Sequence, residues 1–188
     1  MQEVALKVLA NLSYSSDRVR HKIVQDDFSS GRCLQKALGS NPRCEQILCN
    51  AACLVANLAT SPNDQGGLQE VMELSGNLLQ AGPSNTEFLS HLVRAMANFA
   101  HFRQNAERLI YFVSAVVSKC LRSQIVAVHV HALRFLLSLL AALPSRTAKL
   151  LMSEGAEEVL EGLGTVPGLM EAIHSTLLVQ ASDKAKPL

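Results

Sequence analysis

The sequence contains no tryptophan, and aromatic residues make up only 4% of its 188 residues. This scarcity disfavours a β-sandwich, whose strands are rich in aromatic and β-branched side chains. Neither sign of charge predominates, because 17 Lys and Arg are set against 16 Asp and Glu, which leaves a net charge of +1. No overall field therefore draws the chain to nucleic acid or to an anionic membrane, and we expect neither as a partner.

Signals for secretion, metal binding and catalysis are also missing. No secretory signal opens the chain and its five cysteines form no framework of pairs, which favours a reducing, cytoplasmic location. Cys44, Cys49 and Cys53 lie close in sequence, but without a CxxC pair or a nearby histidine they are typical of packed thiols. We predict no catalytic residues, no metal site, no cofactor and no small-molecule substrate.

What the chain does contain is abundant Leu, Ala and Val within a hydrophobic fraction of 48%. That fraction is enough to bury a substantial core and favours close helix packing. The longest apolar run, 125–143, carries Arg134 and stops at Pro144. It therefore predicts a buried helix and not a membrane span.

A short helical pattern recurs four times along the chain. The copies cover residues 5–13, 51–59, 92–100 and 132–140. Their shared polar position is occupied by Asn11, Asn57, Asn98 and Ser138, at spacings of 46, 41 and 40 residues. These spacings are the periods of solenoid repeats built from two or three helices. A second pattern centres on Gly155, which predicts a corner between two helices.

Proline, glycine and serine clusters between the copies divide the chain into further helices. The predicted helices are 2–13, 17–26, 31–39, 43–59, 66–80, 84–100, 103–121, 123–142, 145–154, 156–163 and 166–180. We assign residues 1–180 to one helical-repeat domain. Residues 181–188 are almost free of apolar side chains, which predicts a flexible C-terminal tail.

The Ala-x-x-Leu-x-Asn-Leu-Ser-like helix and the Ile/Leu-x-x-Gly-Ala element that follows it resemble the armadillo repeat, with the related HEAT repeat as the alternative. The resemblance implies an all-α, right-handed α-α superhelix of about four repeats. Because the Asn-bearing helix is the third of the armadillo unit, we expect incomplete repeats at one or both ends, with Val4 and Val8 partly exposed. The side chains expected in the core are Leu9, Leu12, Leu54, Leu58, Met96, Phe99, Phe135 and Leu139.

In the armadillo family the asparagine row lies on the concave surface and holds the backbone of an extended peptide. The alternative is that these amides only tie one helix to the next repeat, since asparagine inside a helix needs some such partner. Polar and cationic residues accumulate one and two turns before these four positions on the same helix face. The predicted groove therefore consists of Lys7, Asn11, Asn50, Asn57, His91, Arg94, Asn98, His131 and Arg134.

The residue four before each asparagine indicates which partner the groove takes. The branch of the family that binds nuclear-import signals has tryptophan there, and this chain has none. Lys7 and Arg94 instead resemble the branch whose groove takes acidic segments. We therefore predict a non-enzymatic protein-protein interaction scaffold for an extended, acidic segment. Two alternatives stay open: an architectural C-terminal part of a large cytoskeletal, centrosomal or ciliary scaffold stacked on adjacent repeats, or a regulatory repeat region attached to a catalytic domain elsewhere in a longer chain.

Overall fold

The computed structural model describes residues 2–30, 32–39 and 44–162, together with Ser175. Within these ranges the chain contains helices and turns but no β-strand, which confirms the all-α fold class. The α-helices are α1 (Gln2–Ser15), α2 (Asp17–Ser30), α3 (Cys33–Gly39), α4 (Glu45–Leu58), α5 (Gln69–Ala81), α6 (Thr86–Ala100), α7 (Ala106–Leu109), α8 (Val113–Ala115), α9 (Val126–Ala142), α10 (Pro144–Ser153) and α11 (Ala156–Gly162).

The four copies of the sequence pattern all lie in long helices. They fall in α1, α4, α6 and α9, which have 14, 14, 15 and 17 residues. We call these four the ladder helices, and Asn11, Asn57 and Asn98 the ladder asparagines. Other helical segments separate them. The period of the sequence is therefore also the period of the structure.

Two glycines with positive φ end helices at the predicted turns. Gly82 (φ 72°) follows α5, and its N–H donates a 3.0 Å hydrogen bond to the backbone oxygen of Leu79. Gly155 (φ 62°) lies between α10 and α11, at the predicted corner. Glycine adopts this left-handed conformation without the strain that a side chain brings. Pro144 is the first residue of α10, one residue before the predicted start, because its missing N–H costs nothing there.

The predicted helix 103–121 is wrong as a single regular element. The segment instead alternates 3₁₀ turns at Arg103–Asn105 and Ile110–Phe112 with α7, α8 and a π-helix at Val116–Leu121. Its buried residues include four adjacent pairs, at 109–110, 112–113, 116–117 and 120–121. Tighter and looser winding changes which residues face inward. We attribute the irregularity to the burial of both members of each pair.

Residues 1–99 form one compact unit. Its core contains the predicted residues Leu54, Leu58, Met96 and Phe99, all of which are fully buried. Leu9 is only half-buried. The prediction for Leu12 is wrong, because its side chain is 53% exposed. Leu12 stands about 200° round α1 from the buried Ala10, at 100° per residue, and so points away from α4.

Residues 100–188 form a second unit, described as far as residue 162 apart from Ser175. The predicted core residues Phe135 and Leu139 are fully buried in it. Buried Thr147 joins α10 to α9, because its hydroxyl donates to the backbone oxygen of Leu139 over 3.2 Å. The predicted last helix, 166–180, and the predicted tail, 181–188, lie outside the described residues. Among the described helices, none is both long and apolar enough to cross a membrane.

Candidate functional site

The asparagine row joins successive ladder helices of the first unit. Asn57 Nδ2 donates a 2.8 Å hydrogen bond to the backbone oxygen of Ala10, and Asn98 Nδ2 donates one of 2.8 Å to that of Ala56. Ala10 and Ala56 each stand immediately before the ladder asparagine of the preceding ladder helix. Both amides therefore hold the backbone of that helix, as the second interpretation of the row predicts.

Ser13 completes the contact between α1 and α4, and the sequence interpretation did not include it. Its buried hydroxyl donates to the backbone oxygen of Ala10 over 2.9 Å and accepts a 3.2 Å hydrogen bond from Asn57 Nδ2. The signal was present, because Ser13 is the last residue of the Asn-Leu-Ser motif and lies one turn after Ala10. A hydroxyl at this position can satisfy a neighbouring buried amide.

Arg94 reaches from α6 back to α4. Its Nη2 donates to the backbone oxygen of Cys53 (3.2 Å), to Cys53 Sγ (3.4 Å) and to Asn57 Oδ1 (3.2 Å). Both ends of the Asn57 amide are therefore engaged within the chain. The Arg94 side chain is half-buried, and its Nε is buried without a hydrogen-bond partner. In the part of the chain that the structure describes, every acceptor of this guanidinium is neutral.

His91 lies one turn before Arg94 on α6 and is also half-buried. Burial, followed by the positive charge of Arg94, lowers the pKa of His91 below its ordinary value of 6.5, and Glu87 opposes both effects. The carboxylate of Glu87 lies 3.8 Å from His91 Nε2. Because the pKa is lowered, the ring is largely neutral at pH 7. The charges beside His91 at neutral pH are therefore the guanidinium of Arg94 and the carboxylate of Glu87.

The other predicted residues of the first unit differ in their exposure. Asn50 is buried on α4, and its Nδ2 donates to the backbone oxygen of Glu3 over 3.2 Å, so it too ties α4 to α1. Lys7 and Asn11 are exposed on α1. Neither side chain forms a hydrogen bond or ion pair with any described residue. Lys7 and Asn11 occupy the repeat positions that Arg94 and Asn98 occupy on α6.

The predicted residues of the second unit lie on α9. Arg134 is exposed and His131 is half-buried, and Arg134 Nη1 lies 3.2 Å from His131 Nδ1. Ser138, at the ladder position, is half-buried and borders a cavity of about 210 Å³ together with His101 and Arg103. The structure therefore brings the predicted residues His131 and Arg134 together on α9. The expectation that one groove joins both units stays a prediction.

The cysteines are free thiols, and two of them are strongly shielded. Burial raises the pKa of Cys49 to about 11 and that of Cys120 to about 12. Within the described ranges, no group of three or more His, Cys, Asp or Glu side chains could hold a metal ion. Cys53 differs from both, since it is half-buried at the candidate surface beside Arg94.

Comparison with known proteins identifies the fold. No protein-family profile and no curated protein matches the chain. Among solved structures, a designed armadillo repeat protein is similar, with a TM-score of 0.66 at 18% identity over 95% of this chain and 92% of that one. The fold is an armadillo-like helical repeat. An engineered protein of the Northeast Structural Genomics Consortium has a TM-score of 0.77 at 24% identity over 96% of this chain and 73% of that one.

A further armadillo-like structure is a designed armadillo repeat protein in complex with the peptide (KR)4. It has a TM-score of 0.64 at 19% identity and covers 94% of this chain and 91% of that one. At this level of identity the likeness extends to the armadillo-like fold alone.

Proposed function

We propose that this chain is a non-enzymatic protein-binding scaffold that holds an extended, acidic segment. The binding surface in the first unit consists of Cys53, His91 and Arg94, and we refer to it as the Arg94 surface. The observation that carries the proposal is the guanidinium of Arg94, which is half-buried and contacts only neutral acceptors. A cation in this state has been partly removed from water without gaining a carboxylate partner.

The geometry leaves one nitrogen of Arg94 available. Nη2 makes all three hydrogen bonds, and Nε is enclosed. Nη1 makes no hydrogen bond to a described residue, and it is not enclosed as Nε is. A carboxylate that approaches Nη1 gains a charge-assisted hydrogen bond where solvent screening is reduced. An acidic side chain is therefore a better ligand for this surface than a neutral one.

The armadillo-like fold supports a peptide as the partner. One similar structure belongs to a set of computationally designed armadillo repeat proteins for modular peptide recognition, and another carries the basic peptide (KR)4. The positive charge of Arg94 favours the opposite kind of peptide, an acidic one. Positive charge at the corresponding positions of other ladder helices comes from Lys7 on α1 and Arg134 on α9, and His131 on α9 adds an imidazole ring. All three remain predicted parts of the groove.

The ladder amides contribute less to this proposal than the cations. Asn57 is enclosed, and Asn50, Asn57 and Asn98 each donate to a backbone oxygen of the preceding ladder helix. Recognition by charge therefore replaces the clamp on the peptide backbone that the resemblance implied. The free thiols support a reducing, cytoplasmic site of action, which is part of the proposal.

The test is a fluorescence-anisotropy titration of the 188-residue chain with labelled octapeptides at low and moderate salt. We expect the alternating Asp-Glu peptide to bind and (KR)4 not to bind. Arg94→Gln should weaken binding of the acidic peptide roughly tenfold, the value of one charge-assisted contact. Binding should also weaken as salt is added. Preference for (KR)4 would contradict the proposal.

Two further variants separate binding from folding. Arg18→Gln removes an exposed arginine on α2, outside the contact between α4 and α6, and it should leave affinity unchanged. Cys53→Asp keeps Arg94 but places a carboxylate of the chain itself beside the guanidinium. That carboxylate should pair with Arg94 and so weaken binding of the acidic peptide. Circular dichroism establishes that each variant is folded. If folded Arg94→Gln and Cys53→Asp both bind like the parent chain, the Arg94 surface is not the binding site.

A further inference from the structure

An apolar stripe on α1 is exposed to solvent. Val4, Val8 and Leu12 follow one another at intervals of four residues, so they lie along one side of the helix, and they are 64%, 49% and 53% exposed. The opposite side of α1, with Leu6, Ala10 and Ser13, is buried. The helix is therefore apolar on two sides, of which the described residues cover one.

The repeat indicates what covers such a stripe elsewhere in the chain. Moving 46 residues along the sequence takes Val4, Val8 and Asn11 to Asn50, Leu54 and Asn57 of α4. All three positions on α4 are buried. Asn50 and Asn57 bond the backbone of α1, and Leu54 lines the same cavity as Leu6 and Leu9. The covering element is thus a helix, α1, whose small residue Ala10 accepts the hydrogen bond from Asn57.

The polar residues on α1 specify this partner further. Arg94 and Asn98 of α6 bond the backbone oxygens of Cys53 and Ala56, which stand four residues and one residue before Asn57. Lys7 and Asn11 have the same spacing on α1 and are exposed without such partners among the described residues. A neighbouring helix that offers two backbone carbonyls three residues apart would satisfy both Lys7 and Asn11. That helix would carry a small residue where it faces Asn11.

We propose that Val4, Lys7, Val8 and Asn11 form a docking surface for an α-helix of a further armadillo-like repeat, which lies on α1 as α1 lies on α4. The interface between α1 and α4 and the bonds from α6 to α4 supply the pattern that this surface continues. A second copy of the chain cannot offer its own α1 in this way, because α4 of the same molecule already covers the Ala10 side of that helix. The proposal is independent of the Arg94 surface.

A tandem variant tests the surface directly. A second copy of residues 1–46 fused before residue 1 of the full chain places an α1-like helix one repeat ahead of α1. We expect amide exchange in the original α1 to slow at least tenfold in hydrogen-deuterium exchange mass spectrometry, because its exposed side becomes covered. In the tandem chain, Val8→Asp or Asn11→Ala in the original α1 should reverse much of this protection.

The same substitutions in the unfused chain provide the control. There Val8→Asp should leave the melting temperature nearly unchanged, since the side chain is exposed. Unaltered exchange of α1 in a folded tandem chain would overturn the proposal. A dimer of the unfused chain that Val8→Asp converts to a monomer, measured by light scattering, would instead assign the stripe to a second copy. Acidic-peptide binding through Arg94 should be the same in the unfused Val8→Asp chain as in the parent chain, so failure of one proposal is distinct from failure of the other.

Discussion

Replacing Asn57 by alanine measures how strongly a ladder asparagine holds two helices together. The side chain is 7% exposed, donates to the Ala10 oxygen and to the Ser13 hydroxyl, and accepts from Arg94. A neutral hydrogen bond contributes about 0.5–1.5 kcal/mol net, and one with a charged partner about 1.5–3 kcal/mol. The half-exposure of Arg94 reduces the last contribution.

Part of the loss is compensated within the structure. The Ser13 hydroxyl still donates to the Ala10 oxygen after the substitution, so that oxygen keeps a partner. Alanine is also the better helix former by about 0.5 kcal/mol. Taking these together, we expect Asn57→Ala to lower the free energy of unfolding by about 2 kcal/mol.

Asn11→Ala is a matched control, because it makes the same substitution at the same position of the preceding ladder helix. Asn11 is exposed and forms no hydrogen bond with a described residue. The gain in helix propensity is common to both variants, so their difference isolates the contacts between helices. We expect Asn11→Ala to change stability by less than about 0.5 kcal/mol.

The assay is urea unfolding, monitored by circular dichroism. When the slope of the unfolding free energy against urea concentration is unchanged, the midpoint reports the change in stability. Equal midpoints for Asn57→Ala and Asn11→Ala would refute the reasoning. That result would mean that the buried amide contributes nothing to the contact between α1 and α4. A loss confined to Asn57→Ala would support a structural role for the asparagine row.

Three further outcomes follow from particular residues. Leu58→Ala removes a fully buried side chain and should cost about 2–5 kcal/mol in urea unfolding. Gly155→Ala forces a side chain into the left-handed region at φ 62° and should cost about 1–2 kcal/mol, whereas Gly39→Ala, with open space and no positive φ, should cost nothing comparable. Because the pKa of His91 is lowered from its ordinary value of 6.5, the ring becomes positively charged only at a pH below that value. Affinity for an acidic peptide should therefore rise as the pH falls from 7 to 5. His91→Gln should remove that rise in anisotropy titrations.

The sequence predicted the helical repeat because its signals are local and additive. The ladder pattern, the glycine at 155 and the breaks near Pro144 each depend on a few neighbouring residues, and the structure has helices and turns at those places. The segment 103–121 could not be predicted in the same way. Its departures from regular winding come from the burial of adjacent apolar pairs, which depends on what packs around them.

Exposure was harder to predict than helix position. Leu12 and Leu58 occupy the same place in the repeat, yet one is exposed and the other is fully buried. The two residues have the same local pattern, so the difference comes from the neighbours of each helix. A prediction based on the pattern alone therefore assigns both to the core. The correction requires the packing partners of α1, which no short segment of sequence contains.

The candidate site separates the repeated residues from those that vary. The asparagines recur at one position, and in α4 and α6 their amides are used to join ladder helices. The position one turn earlier varies, with Lys7, Cys53 and Arg94 in successive ladder helices.

A contact that every repeat makes with its neighbour uses the hydrogen-bonding groups of the same side chains each time. Few of these groups are then left to bind a partner. The capacity to distinguish one partner from another must then come from the varying position, where Cys53 is small and neutral and Arg94 places a cation against it. For this reason the charge at residue 94, more than the amide at residue 98, should determine which peptide the first unit selects.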